Sequence, residues 1–414
     1  MLVKEICERT KLQANTFAGV STQVKNNVLI RAKELMLEKS DEILLANKKD
    51  IEKAEQNGRN AAFIDRLALN QNRIKQMAEG LDAIVSLSDP VGEIVEEYVL
   101  PNGLKVKRVR APLGVIGIIF EARPNVSIDA AALCIKSGNG VVLRGSRESV
   151  HSVGMLVGCI KTALEENGLS GDLVGLIESQ DREATAEMLR ENKYIDVVIP
   201  RGGEGLKKVV LANATMPVIA SAGGNCHIYV APSADLEMAI PIILNAKTQR
   251  PSTCNALETL LIDKKVAEEF VPIVCSALEN AKVQLRGTSD IKALYENVNL
   301  VEEDEFSREY DDMIIKIKVI DGLDNAIAHI NKYGTNHSDC ILTQDESEIE
   351  KFTKEVDSSA VYVNTSTRFT DGFELGLGAE MGISTQKLHV RGPIGLKELT
   401  SVKYVVKGNG QLRK

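Results

Sequence analysis

From Pro112 onward, short apolar runs alternate with helical stretches, and this rhythm restricts the fold more than any other property of the chain. The runs fall at 115–120, 141–143, 173–177, 196–199 and 218–220. Between them, 126–137, 149–166, 181–190 and 203–212 carry the 3.6-residue spacing of helices. Strands that are apolar throughout, rather than on every second residue, are covered on both faces, as in a parallel sheet flanked by helices. The pattern resumes after about 231, with a helix at 235–248 and strands at 259–262, 314–320, 340–342 and 361–363. A chain of 414 residues is long enough to bury more than one such core. Open α/β sheets bind ligands beyond the carboxyl ends of their strands, so sites are sought there first.

The flanks read differently. Residues 1–80 carry helical spacing without chemical motifs. Pro101-Asn102-Gly103 separates two strand-like arms and predicts a hairpin, and 401–406 predicts a final strand. A two-stranded ribbon is marginal alone, so it is expected to pack on the chain or on a second copy. The net charge of −8 argues against nucleic acid as the main partner. No apolar run reaches the length of a membrane span, and the first residues have no secretory apolar core. Neither a membrane nor a nucleic-acid partner is expected, and the expected location is the cytoplasm.

Seven cysteines are scattered without a C-x-x-C pair, and the five histidines have no ligand spacing, so neither a disulfide framework nor a metal site is expected. Cys254 stands out. It follows the helical stretch 235–248 and a Pro-Ser-Thr turn, and Asn255-Ala256-Leu257-Glu258 is expected to open a short helix. The partial positive charge of a helix start would favour the thiolate, the form that attacks acyl carbon. Cys226 is the rival nucleophile, but Cys226, Ile228 and Val230 alternate as a buried strand face would, so it reads as structural. No G-x-G-x-x-G is present; the nearest substitute is the turn Pro200-Arg201-Gly202-Gly203-Glu204-Gly205, whose Gly202 and Gly203 would bring backbone N–H groups to a pyrophosphate.

Four ordered stretches resemble the aldehyde dehydrogenase superfamily: Ala111-Pro112-Leu113-Gly114-Val115-Ile116-Gly117, Gly138-Asn139-Gly140-Val141-Val142-Leu143-Arg144, Ser221-Ala222-Gly223-Gly224-Asn225, and the Cys254 loop. Four more are similar to its γ-glutamyl phosphate reductase branch: Phe120-Glu121-Ala122-Arg123-Pro124-Asn125, Gln249-Arg250-Pro251-Ser252-Thr253-Cys254-Asn255-Ala256-Leu257-Glu258-Thr259, Gly334-Thr335-Asn336-His337-Ser338-Asp339, and Asn364-Thr365-Ser366-Thr367-Arg368-Phe369-Thr370-Asp371-Gly372. The resemblance runs from about residue 10 to 407. It implies an α/β, aldehyde dehydrogenase-like fold with two Rossmann-like domains and a small β oligomerisation element. The expected division is 1–96 with 112–230 for NADPH, 231–395 for catalysis, and 97–111 with 396–414 for self-association.

The resemblance also implies a reaction: NADPH-dependent reduction of L-glutamyl 5-phosphate to glutamate 5-semialdehyde and phosphate through a Cys254 thioester, in proline biosynthesis. An alternative is another acylating member acting on an acyl-CoA or a different acyl phosphate. Hydrolytic relatives carry a glutamate where Ser221 stands. Lacking that base, this chain is suited to keep its thioester from water. Relatives place an oxyanion-binding asparagine where Ala122 stands, so Asn125 and the Cys254 N–H are the expected donors. Arg144 takes the place of an adenosine-binding lysine. Arg147, with Ser146, stands where NAD-preferring relatives carry a glutamate, which favours a 2′-phosphate. Glu303, Asp304 and Glu305, before Phe306, are the candidates for the nicotinamide ribose, Asp304 and Glu305 foremost. Arg123, Arg250, His337 and Arg368 are candidates for the anionic groups of the substrate, and Asp371 for its ammonium. The expected assembly is a homo-oligomer, and a glutamate kinase, the source of the acyl phosphate, is a candidate partner.

Overall fold

The computed structural model describes residues 2–179, 181–220 and 223–413. The reading of Ser221 lies outside the described residues. The chain forms two compact units. The first holds the chain up to Ala220, Gly376–Gly382, and everything from Ile394 on. The second holds Gly223 to Leu375 and Ile383–Pro393.

In the first unit, helices at Val3–Phe17, Thr22–Glu38, Ser40–Gln56, Ala61–Leu67 and Gln71–Ser86 bear out the helical reading of residues 1–80. Three starts are fixed by side chains: Ser21, Asn60 and Asn70 each accept a backbone N–H three residues on. The predicted hairpin is Ile94–Val99 (β1) and Lys105–Pro112 (β2), joined by the final strand Thr400–Lys407 (β16) in an antiparallel sheet of order β1-β2-β16. The parallel sheet is Val115–Phe120 (β3), Gly140–Arg144 (β4), Val174–Leu176 (β5) and Val197–Arg201 (β6), in the order β5-β4-β3-β6. Every residue of β3 and β4 is buried, as their unbroken apolar sequence requires. The expected strand at 218–220 is instead a single bridge between Val218 and Val198.

The second unit is a seven-stranded parallel sheet of order β10-β9-β11-β8-β7-β12-β13. Its strands are Cys226–Val230 (β7), Leu257–Asp263 (β8), Gln284–Gly287 (β9), Asn299–Leu300 (β10), Ile314–Ile320 (β11), Ser338–Leu342 (β12) and Ala360–Val363 (β13). A short ribbon, Ile383–Thr385 (β14) with Arg391–Pro393 (β15), completes it. The expected boundary at 230 is therefore corrected to 220: β7 lies between β8 and β12 in the middle of this sheet and cannot belong to the first unit. The core on one face joins Ile228, Leu260, Phe270, Val274 and Ile317. Phe270 and Val274 come from the helix Lys264–Asn280, which the sequence reading does not anticipate.

Polar groups are also built into the interior. Asn139 is fully buried at the turn into β4. Its Oδ1 accepts the Gly114 N–H at 2.8 Å, and its Nδ2 donates to Ser137 Oγ at 2.8 Å and to the Leu399 carbonyl at 2.9 Å. It thereby ties the starts of β3 and β4 to the segment leading into β16. Asn139→Ala strands a buried N–H and a buried carbonyl, and should cost about 2–3 kcal/mol. Urea unfolding checks this; a loss under about 0.5 kcal/mol, the scale of an ordinary surface substitution, would contradict it.

Candidate active site

Cys254 lies in the turn before β8, half-buried, and the residues after it pass directly into that strand. The short helix expected at 255–258 is thus corrected: Leu257 and Glu258 are β8 residues, so no helix start stabilises the thiolate. The turn also lies at the amino ends of β7, β8 and β12, opposite to where open α/β sheets usually place ligands.

Two segments hold the turn in place. On one side is the glycine turn before β7. A Cβ added to Gly224 would fall 1.3 Å from the Cys254 carbonyl oxygen, so only glycine permits this approach. Gly224 donates its N–H to Glu309 Oε1 at 2.6 Å. The buried Asn225 donates to the Phe306 and Tyr333 carbonyls, each at 2.7 Å, and accepts from Lys316 Nζ at 2.9 Å. Burial pushes the Lys316 ammonium down to about 8. Thr335 Oγ1 accepts the Asn225 N–H at 3.0 Å, and Asp339 Oδ1 accepts the His227 N–H at 2.7 Å.

On the other side is the 364–372 motif, and Asn255 joins it to the turn. Its Nδ2 donates to the Thr370 carbonyl at 2.9 Å, its carbonyl accepts from Thr367 Oγ1 at 2.7 Å, and its Oδ1 accepts from Thr253 Oγ1 at 3.0 Å and from the Arg368 guanidinium. Arg368 also donates to Gln249 Oε1 at 2.8 Å. Burial lowers the Arg368 pKa first and the neighbouring Arg250 lowers it further, while Asp371 and Cys254 oppose this. Arg250, Asp371 and Cys254 thus all lie close enough to Arg368 for their charges to act on it.

His337 takes a different part. It is buried, its Nδ1 lies 2.8 Å from Ser338 Oγ and 3.9 Å from Cys226 Sγ, and burial pushes its pKa down to about 4. It is therefore a neutral imidazole at pH 7, and what it could offer an anionic substrate is a ring N–H and not a positive charge; its buried Nε2 has no hydrogen-bond partner among the described residues. Cys226 is wholly buried, with its pKa raised well above the ordinary thiol value by burial, and its thiol points at the Cys254 carbonyl, 3.2 Å away. This fits its structural reading. Among the described residues, no group of three or more His, Cys, Asp or Glu side chains could hold a metal.

Of the three carboxylates expected for the ribose, Asp304 is exposed, Glu303 is engaged by Lys318 and by the Tyr333 hydroxyl, and Glu305 is engaged by Arg286 and by Tyr310 Oη at 2.6 Å. Glu309, which sequence reasoning passed over, is the carboxylate that reaches the glycine turn beside Cys254. It too precedes an aromatic residue, Tyr310, and that signal was available.

The remaining candidates lie in the first unit. Ala122 is held at φ 29, an uncommon conformation for a residue with a side chain, in the loop that carries the exposed Arg123. Asn125 opens the helix Asn125–Lys136, and its Nδ2 donates to Asp129 Oδ2 at 3.1 Å. Burial pushes Asp129 up to about 6. Gly145, Ser146, Arg147, Val150, Val153 and the 176–179 stretch line a shallow groove beyond the carboxyl ends of β4 and β5. A Cβ at Gly145 would press on the Phe120 ring and Ser149 at 3.2 Å. Arg144, the last residue of β4, donates to the Gly145 and Asp181 carbonyls, while its buried Nε is without a hydrogen-bond partner among the described residues. In the 200–205 turn the Gly203 N–H is taken by Glu121 Oε2 at 3.0 Å, so a pyrophosphate there would have to displace a carboxylate.

Comparison with known proteins places these features in a lineage. Residues 1–302 match the model of the aldehyde dehydrogenase family. The chain is 50% identical over 406 residues to the γ-glutamyl phosphate reductase of Clostridium perfringens strain 13, covering 98% of each. It is 49% identical to that of Heliobacterium modesticaldum, covering 98% of this chain and 97% of the other. The crystal structure of γ-glutamyl phosphate reductase from Thermotoga maritima superposes over all of both chains with a TM-score of 0.98 and 45% identity.

The contact between Gly224 and Cys254 yields a direct expectation. Gly224→Ala should fold, by circular dichroism, but displace the Cys254 turn and change the alkylation rate of Cys254 by iodoacetamide about tenfold or more, the scale expected when a reacting group moves by an ångström. Peptide mapping after timed alkylation measures this; a rate equal to the parent's would contradict it.

Proposed function

The chain belongs to the aldehyde dehydrogenase family, in its γ-glutamyl phosphate reductase branch, and on that premise we propose that it reduces L-glutamyl 5-phosphate to L-glutamate 5-semialdehyde and phosphate with NADPH, in proline biosynthesis. The observation that carries the reading is the half-buried Cys254, locked between two buried motifs and flanked by Arg250 and Arg368.

In this mechanism the Cys254 thiolate attacks the acyl carbon of the substrate. The bond to phosphate breaks, inorganic phosphate leaves, and a thioester remains on Sγ. Arg250 and Arg368 carry the positive charge that favours the thiolate and meets the anionic substrate, and Asp371 meets its ammonium. Arg123 is a further cation for the carboxylate or phosphate. The Cys254 N–H is a donor for the oxyanion, and Asn125, whose Nδ2 also carries an N–H that Asp129 does not use, is the second donor that the resemblance implies. NADPH, when bound, supplies the hydride that turns the thioester into a thiohemiacetal. Collapse of that species releases the aldehyde and returns the thiolate.

The family works with a nicotinamide cofactor. The groove at Gly145–Val153 is the place for the adenosine: it lies beyond the carboxyl ends of β4 and β5, and the neighbouring Arg144 holds an unmatched buried N–H. Arg147 and Ser146 would take the 2′-phosphate, and Gly202 and Gly203 the pyrophosphate once the Glu121 carboxylate has released the Gly203 N–H. Glu309 is a better candidate than Asp304 or Glu305 for the nicotinamide ribose, because it alone of the three lies against the nucleophile's neighbouring turn. Self-association through the β1-β2-β16 sheet is supported by exposed apolar residues there, including Val99, Tyr404 and Val406.

Two measurements test the reading. With glutamate semialdehyde and NADP+, NADPH formation should require phosphate, and coenzyme A should not replace it. Cys254→Ala should fall at least about a thousandfold while Cys226→Ala stays within a few-fold, since only the former loses the nucleophile. Turnover that depends on coenzyme A would favour the other acylating reading. Separately, Arg147→Glu should lower the ratio of NADPH to NADH efficiency about tenfold or more, by setting a carboxylate against the 2′-phosphate. An unchanged ratio would remove Arg147 from the account.

A further inference from the structure

Beside the groove at Gly145–Ser179, two arginines far apart in sequence converge on one carboxylate oxygen. Glu148 is buried, its side chain only 3% exposed. Its Oε1 accepts from Arg59 Nη2 at 2.5 Å, from Arg59 Nε at 3.2 Å, and from Arg147 Nε at 3.2 Å. Burial alone would raise the Glu148 pKa, but the hydrogen bonds from Arg59 and Arg147 hold it below the usual glutamate value, so the carboxylate is charged. One negative charge therefore faces two permanent positive charges. The excess charge sits at the surface: the Arg59 and Arg147 side chains are 40% and 58% exposed.

Arg59 is also held from a second side. Arg59 stacks on the Phe63 ring, its guanidinium carbon 4.7 Å from the centroid, and Asn60 fixes the helix start that carries Phe63. Arg147 spends only Nε on Glu148, and its two terminal nitrogens make no other hydrogen bond among the described residues. Arg147 also lines the groove. A plain structural ion pair would need one arginine. Two guanidiniums anchored by the same oxygen lie within a few ångströms of each other and are suited to a dianionic phosphate, which accepts from several N–H donors at once.

We propose that Arg59 is a second specificity-determining residue for the 2′-phosphate of NADPH, forming with Arg147 a fork that Glu148 pre-orients. The proposal rests on the reading of this groove as the adenosine site. Arg59 enters from the segment between the helices Ser40–Gln56 and Ala61–Leu67, outside the strand-to-helix turn that carries Ser146 and Arg147.

The test uses the full chain and two small probes, adenosine 2′,5′-bisphosphate and ADP, titrated by calorimetry. In the parent, the 2′,5′-bisphosphate should bind more tightly than ADP. In Arg59→Gln, whose amide can still donate to Glu148, it should weaken about tenfold while ADP stays within twofold, the size expected for losing one charge-assisted phosphate contact. KM for NADPH should rise with kcat unchanged, and NADH kinetics should not move. If the 2′,5′-bisphosphate binds Arg59→Gln within twofold of the parent, or both probes weaken together, the proposal is overturned. If the parent itself does not prefer the 2′,5′-bisphosphate, the underlying cofactor reading fails, a distinguishable result. Should Arg59→Gln not fold, Arg59→Lys decides. A single ammonium in place of the fork should weaken the 2′,5′-bisphosphate several-fold, and parental affinity would overturn the proposal.

Discussion

The hydrogen bonds of Asn255 are the constraint on which the active site depends. One residue past the nucleophile, this buried amide reaches Thr367, Arg368 and Thr370 through its backbone carbonyl and both ends of its side chain. Opposite, Gly224 lies against the Cys254 carbonyl so closely that no side chain fits. The turn has no helix to fix it, so its geometry comes from these two supports. A nucleophile placed in this way keeps its orientation while remaining half-exposed to substrate. Because the supports are buried, an unmade hydrogen bond would be costly, and the turn has little freedom to drift.

The same supports explain why the two reductase motifs are long. The 334–339 segment supplies Thr335 to Asn225, Asp339 to His227, and the neutral His337 beside Cys226. The 364–372 segment supplies the partners of Asn255. Both read naturally in sequence as anion-binding loops because they contain His337 and Arg368. In the fold, both hold the Cys254 turn, Arg368 through its guanidinium on Asn255 and Gln249. Residue type alone could not separate the two roles, since the difference is burial and a sequence does not state which side of a turn faces inward.

Other parts of the structure were legible from local pattern. The buried strands β3 and β4 follow from apolar runs, β7 from the alternation of Cys226, Ile228 and Val230, the middle of β8 from the run around Leu260–Ile262, and the β1–β2 hairpin from Pro101-Asn102-Gly103. β9 and β10 escaped because their apolar signal is brief, whereas the helix Lys264–Asn280 was legible and passed over: Ala267, Phe270, Val271, Val274, Cys275 and Leu278 keep helical spacing. The 220 boundary was missed because β7 continues the rhythm of the first sheet while pairing in the second. The convergence of Arg59 on Glu148 spans 89 residues and carries no local signature. Glu309 before Tyr310 was visible but lay just beyond the more conspicuous acidic run that ends at Glu305.

The central claim is that a thioester on Cys254 awaits phosphate or hydride and is not hydrolysed. Intact-protein mass spectrometry with stopped-flow absorbance tests it most directly, on enzyme mixed with glutamate semialdehyde and NADP+ without phosphate. The account predicts a single burst of NADPH, at most one equivalent per site, with a glutamyl adduct on the Cys254 peptide that phosphate discharges. Continuous NADPH production with release of free glutamate, or an adduct on Cys226, would contradict it.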